Sequence, residues 1–418
     1  MKKIMLLAAA LCLLAGCSSE DSDTSNSTAA KVTVTFSKTD NIESVRALPG
    51  GDKAIVVASK SRTVYEAKLN GDKLETQRIF DEPTGDADEE FTNSAAINAT
   101  DFAITHTKLT RSGSEITDCG GELILYDGVN KKTHRVEVGP MPDSVAVSPN
   151  QKYAITADER DSATEAWGKC PVVTEMPGIS IVDLSQGYEN AKVVKQIQFS
   201  KSVLGPREPE YIAIASDNDT VAVTLQDSHE VAVFSLSQIL AKEGEVLNES
   251  ETTIVQLPAN PSGQNPWPDG ITAFNAGGQI YFAIAGEWND TIIVVDKTGK
   301  AVSNTSVTEQ QVPTSFPCVD DNESPRYSPD SITSFEKNGK VYVAATLRFA
   351  GAVIVYDMTN PASPVFSHIE SVGETDVSGC SKDGSTVYPE GISAGSGLIW
   401  TANEGENSVT VLRTDSFK

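Results

Sequence analysis

Acidic residues recur at regular intervals along this chain of 418 residues, each within a short motif that usually begins with proline. The clearest copies read PDSV at 142–145, PDGI at 268–271 and PEGI at 389–392. The acidic or amide position of the seven copies is held by Glu43, Asn93, Asp143, Glu210, Asp269, Asp330 and Glu390. Successive copies are 50, 50, 67, 59, 61 and 60 residues apart, a spacing typical of a repeat architecture. Equivalent positions of such repeats occupy equivalent places, so we expect these side chains to converge in an acidic ring.

A ring of carboxylates and one amide points to metal-ion chemistry, because hard cations such as Ca²⁺ take about six to eight oxygen ligands. A second set of oxygen ligands is available at the ends of later strands, in Asp158, Glu159, Glu287, Asn289, Asn403 and Glu404. Converging carboxylates repel one another, so they must be protonated, paired with arginine or neutralised by a metal ion. The arginines suitably placed in the repeat to pair with them are Arg160, Arg207, Arg326 and Arg348.

Three interpretations of the acidic ring remain open. In the first, each carboxylate accepts backbone N–H bonds from the next repeat and serves the structure alone. In the second, the ring holds a cation, for which Ca²⁺ is the candidate. In the third, the ring takes part in catalysis. A feature present in nearly every repeat favours the first interpretation over the other two.

The elements that position the ring are short β-rich runs. After the copy at Asp143 come runs at 145–147, 153–157, 178–184 and 191–197, bounded by turn residues. Four-stranded units repeated radially are the blades of a β-propeller, so we predict an all-β, seven-bladed propeller. The last copy has room for three strands only. The segment Lys31–Phe36 can supply the fourth, so that the N-terminal strand joins the C-terminal blade and closes the ring of blades.

One face of the predicted propeller carries the long loops, since the connections into each blade and the loops between second and third strands lie together. Binding residues on a rigid scaffold are usually found on such loops. The candidate ligand-binding residues on this face, besides the acidic ring, are Trp167, Trp267, Trp288, Arg207, Arg326, Arg348, Asn403 and Glu404.

The N-terminus has the build of an export signal. Lys2 and Lys3 precede an apolar run too short to span a membrane, and small residues then lead to Cys17, which resembles a bacterial lipobox. We therefore expect a lipoprotein signal peptide at 1–16, a flexible tether at 17–30 acylated on Cys17, for example with palmitate, and the propeller at 31–418. The expected location is the bacterial cell envelope, at the outer membrane on its periplasmic or surface side. An ordinary signal peptide with an incidental cysteine is the alternative.

The formal net charge of −25 limits the partners. It argues against nucleic acid and against direct contact with anionic lipid headgroups, so we expect contact with the membrane through the lipid anchor only. This negative charge is compatible with the binding of cations or of basic partners, and also with a role in solubility alone. We expect a monomer that binds an unidentified protein or small molecule.

Four cysteines remain beyond the signal and the anchor, and an exported protein can keep disulfides. Four cysteines allow three pairings. Their positions within the repeat favour Cys119–Cys170 and Cys318–Cys380, each stabilising by roughly 2–4 kcal/mol. Free buried thiols are the alternative. The chain has no Cys-x-x-Cys motif or Cys/His cluster for zinc.

Several stretches resemble a known group of propellers. These are Arg207–Ile212, Val221–Val233, Gly351–Phe366 and Pro389–Gly391 with Ala402–Glu404. They look like the bacterial choice-of-anchor I propellers, which are similar to mesenchyme-specific cell-surface glycoproteins within the YVTN and WD40-like class. The likeness covers roughly residues 205–418 well and the first three blades loosely. It implies an exported, surface-anchored propeller and assigns no catalytic residue.

The chain is more loosely similar to lactonase-type propellers, which hold a metal at the channel mouth with Glu, Asn and Asp. The counterparts by residue type are Glu390, Asn93, Asp269 and Asn403. We therefore carry three hypotheses for function. The first is a binding module that uses the loop-rich face, the second a metal-dependent hydrolase of lactonase type, and the third a lipoprotein that captures a small ligand or metal complex.

Overall fold

The computed structural model of the protein describes residues 30–417, apart from 83–84, 87, 160–176, 314–315, 317–326, 375–379, 382–383 and 386. The side chains of residues 115, 118, 380–381 and 384–385 are also outside the description. Short runs rich in valine, isoleucine, alanine and threonine form its strands, as expected for β-branched residues on a pleated surface. Tight hairpins join them. Gly277–Gly278 and Asn338–Gly339, for example, have positive φ at both turn positions, which matches the right-handed twist of the flanking strands.

Seven antiparallel sheets of four main strands surround a central channel, so the predicted seven-bladed β-propeller is confirmed. The innermost strands are β2 (Ile42–Ala47), β6 (Glu90–Ala96), β10 (Pro142–Val147), β14 (Pro209–Ile214), β19 (Pro268–Ala276), β23 (Pro329–Lys337) and β29 (Pro389–Gly395). The second strands are β3 (Lys53–Ala58), β7 (Phe102–Ser112), β11 (Tyr153–Asp158), β15 (Thr220–Leu225), β20 (Gln279–Gly286), β24 (Lys340–Leu347) and β30 (Leu398–Asn403).

The outer half of each blade has the same order. The third strands are β4 (Thr63–Asn70), β8 (Glu115–Asp127), β12 (Gly178–Asp183), β16 (Glu230–Ser235), β21 (Thr291–Asp296), β25 (Ala352–Asp357) and β31 (Ser408–Arg413). The outermost strands are β5 (Lys73–Asp81), β9 (Lys132–Val138), β13 (Lys192–Gln198), β18 (Thr253–Gln256), β22 (Ala301–Ser306), β26 (Val365–Ser371) and β1 (Lys31–Thr35).

A few elements lie outside this repeat. Strand β17 (Val246–Asn248) runs parallel to β13 and adds a fifth strand to the third blade. Strands β27 (Cys380–Ser381) and β28 (Gly384–Ser385) form a small separate hairpin. The one α-helix of the described chain is α1 (Leu236–Leu240), and short 3₁₀ turns lie at Tyr188–Asn190, Glu249–Glu251, Glu287–Asn289 and Thr414–Ser416. No helix in the described residues has both the length and the apolar composition needed to cross a membrane.

The N-terminal strand closes the propeller as predicted. Strand β1 pairs antiparallel with β31 over five residues, from Lys31 opposite Leu412 to Thr35 opposite Ser408. The last and first blades also meet at the channel, where a Cβ on Gly391 would lie 2.7 Å from the carbonyl oxygen of Glu43. Only glycine permits that approach. The blades therefore form a complete circle in which the described sheets pack face to face.

The hydrophobic core consists of layers between adjacent blades. Each of the seven blade-to-blade interfaces holds its own cluster of buried side chains. Trp400, for example, is fully buried between the seventh and first blades. Because each sheet buries both faces against its neighbours, the innermost strands are held rigidly around the channel.

Candidate functional site

The acidic ring lies where the innermost strands begin. In all seven blades, the pairing between first and second strands shifts register at this point, as between Pro142 and Ser144 or between Pro389 and Gly391. In each blade, one or two residues of the first strand are skipped by this shift, and the ring residue is among them. A β-bulge leaves a residue outside the ladder and re-aims its side chain. The repeated bulge therefore explains how the ring side chains escape the sheets.

Threonine hydroxyls lock neighbouring blades together beneath the ring. The Thr224 hydroxyl accepts a bond from the backbone N–H of Tyr211 in its own blade (2.9 Å) and donates to the carbonyl oxygen of Asp269 in the next (2.8 Å). Thr346 makes the same two bonds, from Ser331 N–H (3.0 Å) and to the Glu390 carbonyl (3.5 Å). These bonds use backbone carbonyls of the ring residues and leave their carboxylates available for other contacts.

The carboxylates themselves accept no backbone N–H bond from any described residue. Only Asn93 does so, from the N–H of Ser94 at 2.7 Å, and it also accepts the Ser44 hydroxyl at 3.4 Å. The first interpretation, in which every ring carboxylate accepts N–H bonds from the next blade, is therefore not the arrangement found. The other possibilities are protonation, arginine pairing and a bound cation.

A second tier of side chains stands directly above the ring at the ends of the second strands. The same hydrogen bond fixes each of its described members. The backbone N–H of the second-tier residue donates to the backbone carbonyl oxygen of the residue two places before the ring residue, with N to O distances of 2.8–3.1 Å. The described members are Ser59, Glu159, Gln226, Glu287, Arg348 and Glu404. Their chemical types differ widely although their backbone positions are equivalent. The second tier therefore gives each sector of the channel mouth its own charge, where a sector is the part of the mouth that a few adjacent blades form.

Arg348 neutralises one sector. Its guanidinium lies 2.6 Å from the Glu287 carboxylate, 3.0 Å from Asp330 and 2.7 Å from Glu390, and 4.2 Å from the centroid of the Tyr388 ring. Burial alone lowers the pKa of Arg348, but the three carboxylates outweigh it and hold that pKa well above its usual value. Arg348 therefore pairs with two carboxylates of the ring.

The opposite sector gathers carboxylates. One oxygen each from Asp143, Glu159 and Glu210 lie within 4.8 Å of one another. Burial raises the pKa of Asp143 to about 7. Burial also raises the pKa of Glu210 well above its usual value, and the charges of Glu159, Asp143 and Asp269 add to this rise. Within the described part of the chain, no lysine or arginine forms an ion pair with Asp143 or Glu210.

The remaining ring carboxylates lie between these sectors, and burial raises their pKa values as well. Burial raises the pKa of Glu43 well above its usual value, followed by the charges of Glu390, Glu90 and Glu404. Burial likewise raises the pKa of Asp269, followed by the charge of Glu287. Burial also raises the pKa of Glu390 well above its usual value; the charge of Arg348 opposes this rise and the charge of Glu404 adds to it.

The three converging carboxylates fit a hard cation in their chemistry. Carboxylate oxygens are the ligands of Ca²⁺, and an incomplete protein shell is filled by water. Asp143, Glu159 and Glu210 would hold such an ion, and it would supply the positive charge that Arg348 supplies on the other side.

Some predicted site residues lie elsewhere. Arg207 forms ion pairs with Glu230 at 2.8 Å and Glu249 at 2.9 Å, so these carboxylates and not the ring are its partners. Asn403 is fully buried and binds the hydroxyls of Thr401, Ser408 and Thr410 within its own blade, all at 3.0 Å. The amide of Asn403 is therefore used for hydrogen bonds within the blade.

Two predicted tryptophans are neighbours beside the mouth. The rings of Trp267 and Trp288 have centroids 5.9 Å apart, and His229 lies 6.2 Å from Trp267. They are 38% and 43% exposed. Because Trp267 precedes Asp269 by two residues and Trp288 follows Glu287, this aromatic pair borders the acidic ring.

Other predicted residues fall outside the description. They are Cys17, Trp167, Cys170, Cys318, Arg326 and Arg160, and the side chain of Cys380. Cys119 is described and is 3% exposed. Both disulfide pairings therefore stay predictions.

Two channel residues were missed by the sequence reasoning. Tyr211 accepts a hydrogen bond from Ser331, two blades away, at 3.3 Å, so its side chain lies across the channel beneath the ring. Arg46 lines the channel further in. A signal was present. Tyr211 directly follows its ring residue, where the other six repeats have serine or glycine. Arg46 stands three places after its ring residue, where the others have alanine, threonine or serine.

The structure is similar to several solved β-propellers. Virginiamycin B lyase from Staphylococcus aureus matches with a TM-score of 0.58 at 13% identity, over 92% of this chain and 98% of that chain. Pseudomonas aeruginosa periplasmic gluconolactonase, PpgL, matches with a TM-score of 0.55 at 11% identity, over 90% and 93%. The WD40 repeats of RRP9 match with a TM-score of 0.56 at 7% identity, over 92% and 97%.

The sequence comparisons give no family, since no protein-family model and no curated protein matches the chain. At such low identities the structural likeness shows the fold alone. A lyase, a lactonase and a WD40 protein share this architecture, so function has to be argued from the site. What the comparisons establish is that this chain has the fold of the seven-bladed β-propellers.

Proposed function

We propose that the protein is a binding module whose loop-rich face takes up a hard divalent cation, with Ca²⁺ as the candidate, at the mouth of its channel. The observation that carries this proposal is the convergence of Asp143, Glu159 and Glu210, whose carboxylate oxygens lie within 4.8 Å of one another. Residues from two adjacent blades contribute, because Glu210 begins the fourth blade while the other two belong to the third. The cation therefore links the two blades.

Electrostatics supports this proposal. Burial raises the pKa values of both Asp143 and Glu210, and repulsion by neighbouring carboxylates adds to the rise for Glu210, so the sector without a cation carries protons near neutral pH. A bound divalent ion reverses this preference, since an opposite charge close by favours ionised carboxylates. Binding of the ion should therefore release protons, and the affinity should increase as the pH rises.

The test is calcium titration of metal-free protein by calorimetry, with metal analysis of the purified chain. We expect one ion per chain, and no binding by the double variant D143N/E210Q. The matched control is E75Q, which removes an exposed carboxylate that faces solvent near Lys73. Equal calcium binding by D143N/E210Q and by the control would sink the proposal.

A second candidate is a metal-dependent hydrolase of lactonase type. It is favoured by the pKa of Asp143, which burial raises to about 7, because a general base works best when its pKa lies near the operating pH. Asp143 would accept the proton, and neighbouring carboxylates would hold the metal. A gluconolactone assay with calcium and other divalent ions decides this. Activity no higher than that of D143N would exclude it.

The wider ligand face is proposed to include Trp267 and Trp288, which offer exposed aromatic surface next to the carboxylates. Cationic groups are attracted to aromatic faces and to carboxylates alike. A basic segment of a partner protein or a cationic small molecule is therefore the kind of ligand that suits this face.

The cellular setting is a further proposal. We infer an exported monomer of the choice-of-anchor I type, acylated on Cys17 and held at the outer membrane through that lipid alone, with Cys119–Cys170 and Cys318–Cys380 disulfides. Labelling of cells with a palmitate analogue should mark the wild-type chain and leave Cys17→Ala unmarked. Equal labelling of both would refute the anchor.

A further inference from the structure

The central channel contains a second polar site beneath the acidic ring. A cavity of about 260 Å³ extends from Ser44 and Ser331, next to the ring, towards Val147 and Ile214 near the far ends of their strands. Among its described lining residues, Arg46 and Tyr211 alone have ionisable side chains, and no aspartate or glutamate lines it. The charge inside the channel is thus opposite to that at the mouth.

Among the described residues, Arg46 has no carboxylate partner, unlike several other arginines. Arg348 contacts three carboxylates, and Arg111, Arg135 and Arg207 contact two each. For Arg46, the described contact is a bond from Nε to the carbonyl oxygen of Ser94 at 3.0 Å. A guanidinium has five N–H donors, so most of its capacity faces the cavity. This is an unusual state in a chain with a net charge of −25.

The surroundings make this charge expensive to leave unpaired. Burial lowers the pKa of Arg46, and the nearby phenol of Tyr211 opposes this only in part. Arg46 is only partly buried and lines the channel, and a cation in such a place is held best when an anion or several hydrogen bonds compensate for its lost hydration. The other six repeats have small residues at this position, so the arginine occupies space that a plain channel would leave open.

Tyr211 separates the two charged regions and adds a donor. Its hydroxyl oxygen accepts a bond from the Ser331 hydroxyl at 3.3 Å, which leaves the phenolic O–H free to donate. A guanidinium and a phenol are both hydrogen-bond donors to an oxyanion.

The walls indicate the rest of the ligand. Their aliphatic residues, such as Val45, Val145 and Ile271, are buried in the clusters between the blades, and the surface that faces the channel is more polar than apolar. A single cation balances a single negative charge, so a doubly charged phosphate would keep an excess charge beneath the acidic ring. A carboxylate also matches the planar fork of arginine. We propose that the channel binds a small monocarboxylate, with its carboxylate on Arg46.

The test is calorimetric titration with sodium butyrate, compared with sodium chloride at equal ionic strength. We expect saturable binding of butyrate and none of chloride. R46M should weaken butyrate binding at least about tenfold, as expected for loss of a charge-assisted pair. R46K should bind butyrate with an affinity between those of the wild type and R46M. The control R78M removes an arginine that is more than half exposed and should bind butyrate like the wild type.

The result of the butyrate titration can be distinguished from the result of the calcium titration that tests the cation site. D143N/E210Q should lose calcium binding and keep butyrate binding, whereas R46M should do the reverse. Saturation-transfer NMR on the wild-type protein gives an answer even when R46M fails to fold, since transfer to the butyrate methyl group requires contact with the channel walls. No transfer, or unchanged affinity in folded R46M, would overturn the proposal.

Discussion

Two sectors of the channel mouth are built on the same repeated position and reach opposite electrostatic states. Around Asp330 and Glu390, Arg348 supplies a positive charge within 3.0 Å of both carboxylates. Around Asp143 and Glu210, the second-tier residue Glu159 adds a third carboxylate. The difference arises from one side chain at the end of each second strand. In this propeller, the repeat places the carboxylates and the second tier decides what each sector can do.

The largest effect is expected from removing the arginine. Arg348→Met leaves Glu287, Asp330 and Glu390 buried without their shared cation, which should reduce the free energy of unfolding by about 3–5 kcal/mol. Urea denaturation measures this. R78M, the exposed control, should change stability by less than about 1 kcal/mol. Adding E287Q and E390Q to R348M should restore part of the loss, and no restoration would mean that packing rather than charge explains Arg348.

Calcium should stabilise the other sector. At a free concentration of about 100 times its Kd, an ion bound only by the folded state adds about 2.7 kcal/mol to the free energy of unfolding. Thermal melting with calcium and with EDTA measures this effect, and D143N/E210Q should melt at the same temperature in both. A similar calcium response in that variant would show that the ion acts elsewhere.

The two sectors should also respond differently to pH. The pKa of Asp143 rises from 3.8 to about 7 on folding, so folding favours its protonated form. Its contribution to stability is therefore full below about pH 4 and lost as the pH rises through 7. Metal-free protein should lose about 1–3 kcal/mol between pH 5 and pH 8. The loss should be smaller in D143N, and equal pH profiles for both proteins would contradict this assignment.

The smallest effect should come from copying the arginine into the acidic sector. Gln226 is the second-tier residue of the fourth blade, which Glu210 begins. Gln226→Arg should raise the stability of metal-free protein by up to about 1 kcal/mol and weaken calcium binding about tenfold. Tighter calcium binding would show that the sectors differ by more than charge.

The fold was predictable because one motif repeats along the sequence at a nearly regular spacing. Seven copies of one motif, each followed by β-rich runs, require seven equivalent blades, and the short last copy requires a strand from elsewhere. Lys31–Thr35 fills that place on β31. The position of the ring residues followed from the same periodicity, since symmetry alone brings their strands to the channel.

The contacts within the mouth were predictable only in part, because they break the symmetry. Arg207 and Arg348 both looked suitably placed, but Arg207 meets Glu249, which lies on a short turn outside the repeat, and only Arg348 reaches the ring. Periodicity carries no information about such a turn. Tyr211 and Arg46 were visible as large residues at small-residue positions, and a column-by-column comparison of the repeats would have found them.

The closing strand has a consequence for how the chain reaches its native state. Thr33 and Thr410 share a hydroxyl contact at 3.0 Å across 377 residues of sequence. During synthesis, β1 emerges first, but its partner β31 appears only after every other blade has been made. The unpaired edge of β1 must therefore wait, and contacts between such distant segments form slowly. Until then, the open circle exposes strand edges that favour association with other chains. We therefore expect the pairing of β1 with β31 to come late in folding, and we expect the yield of native protein to depend on how well β1 is shielded until then.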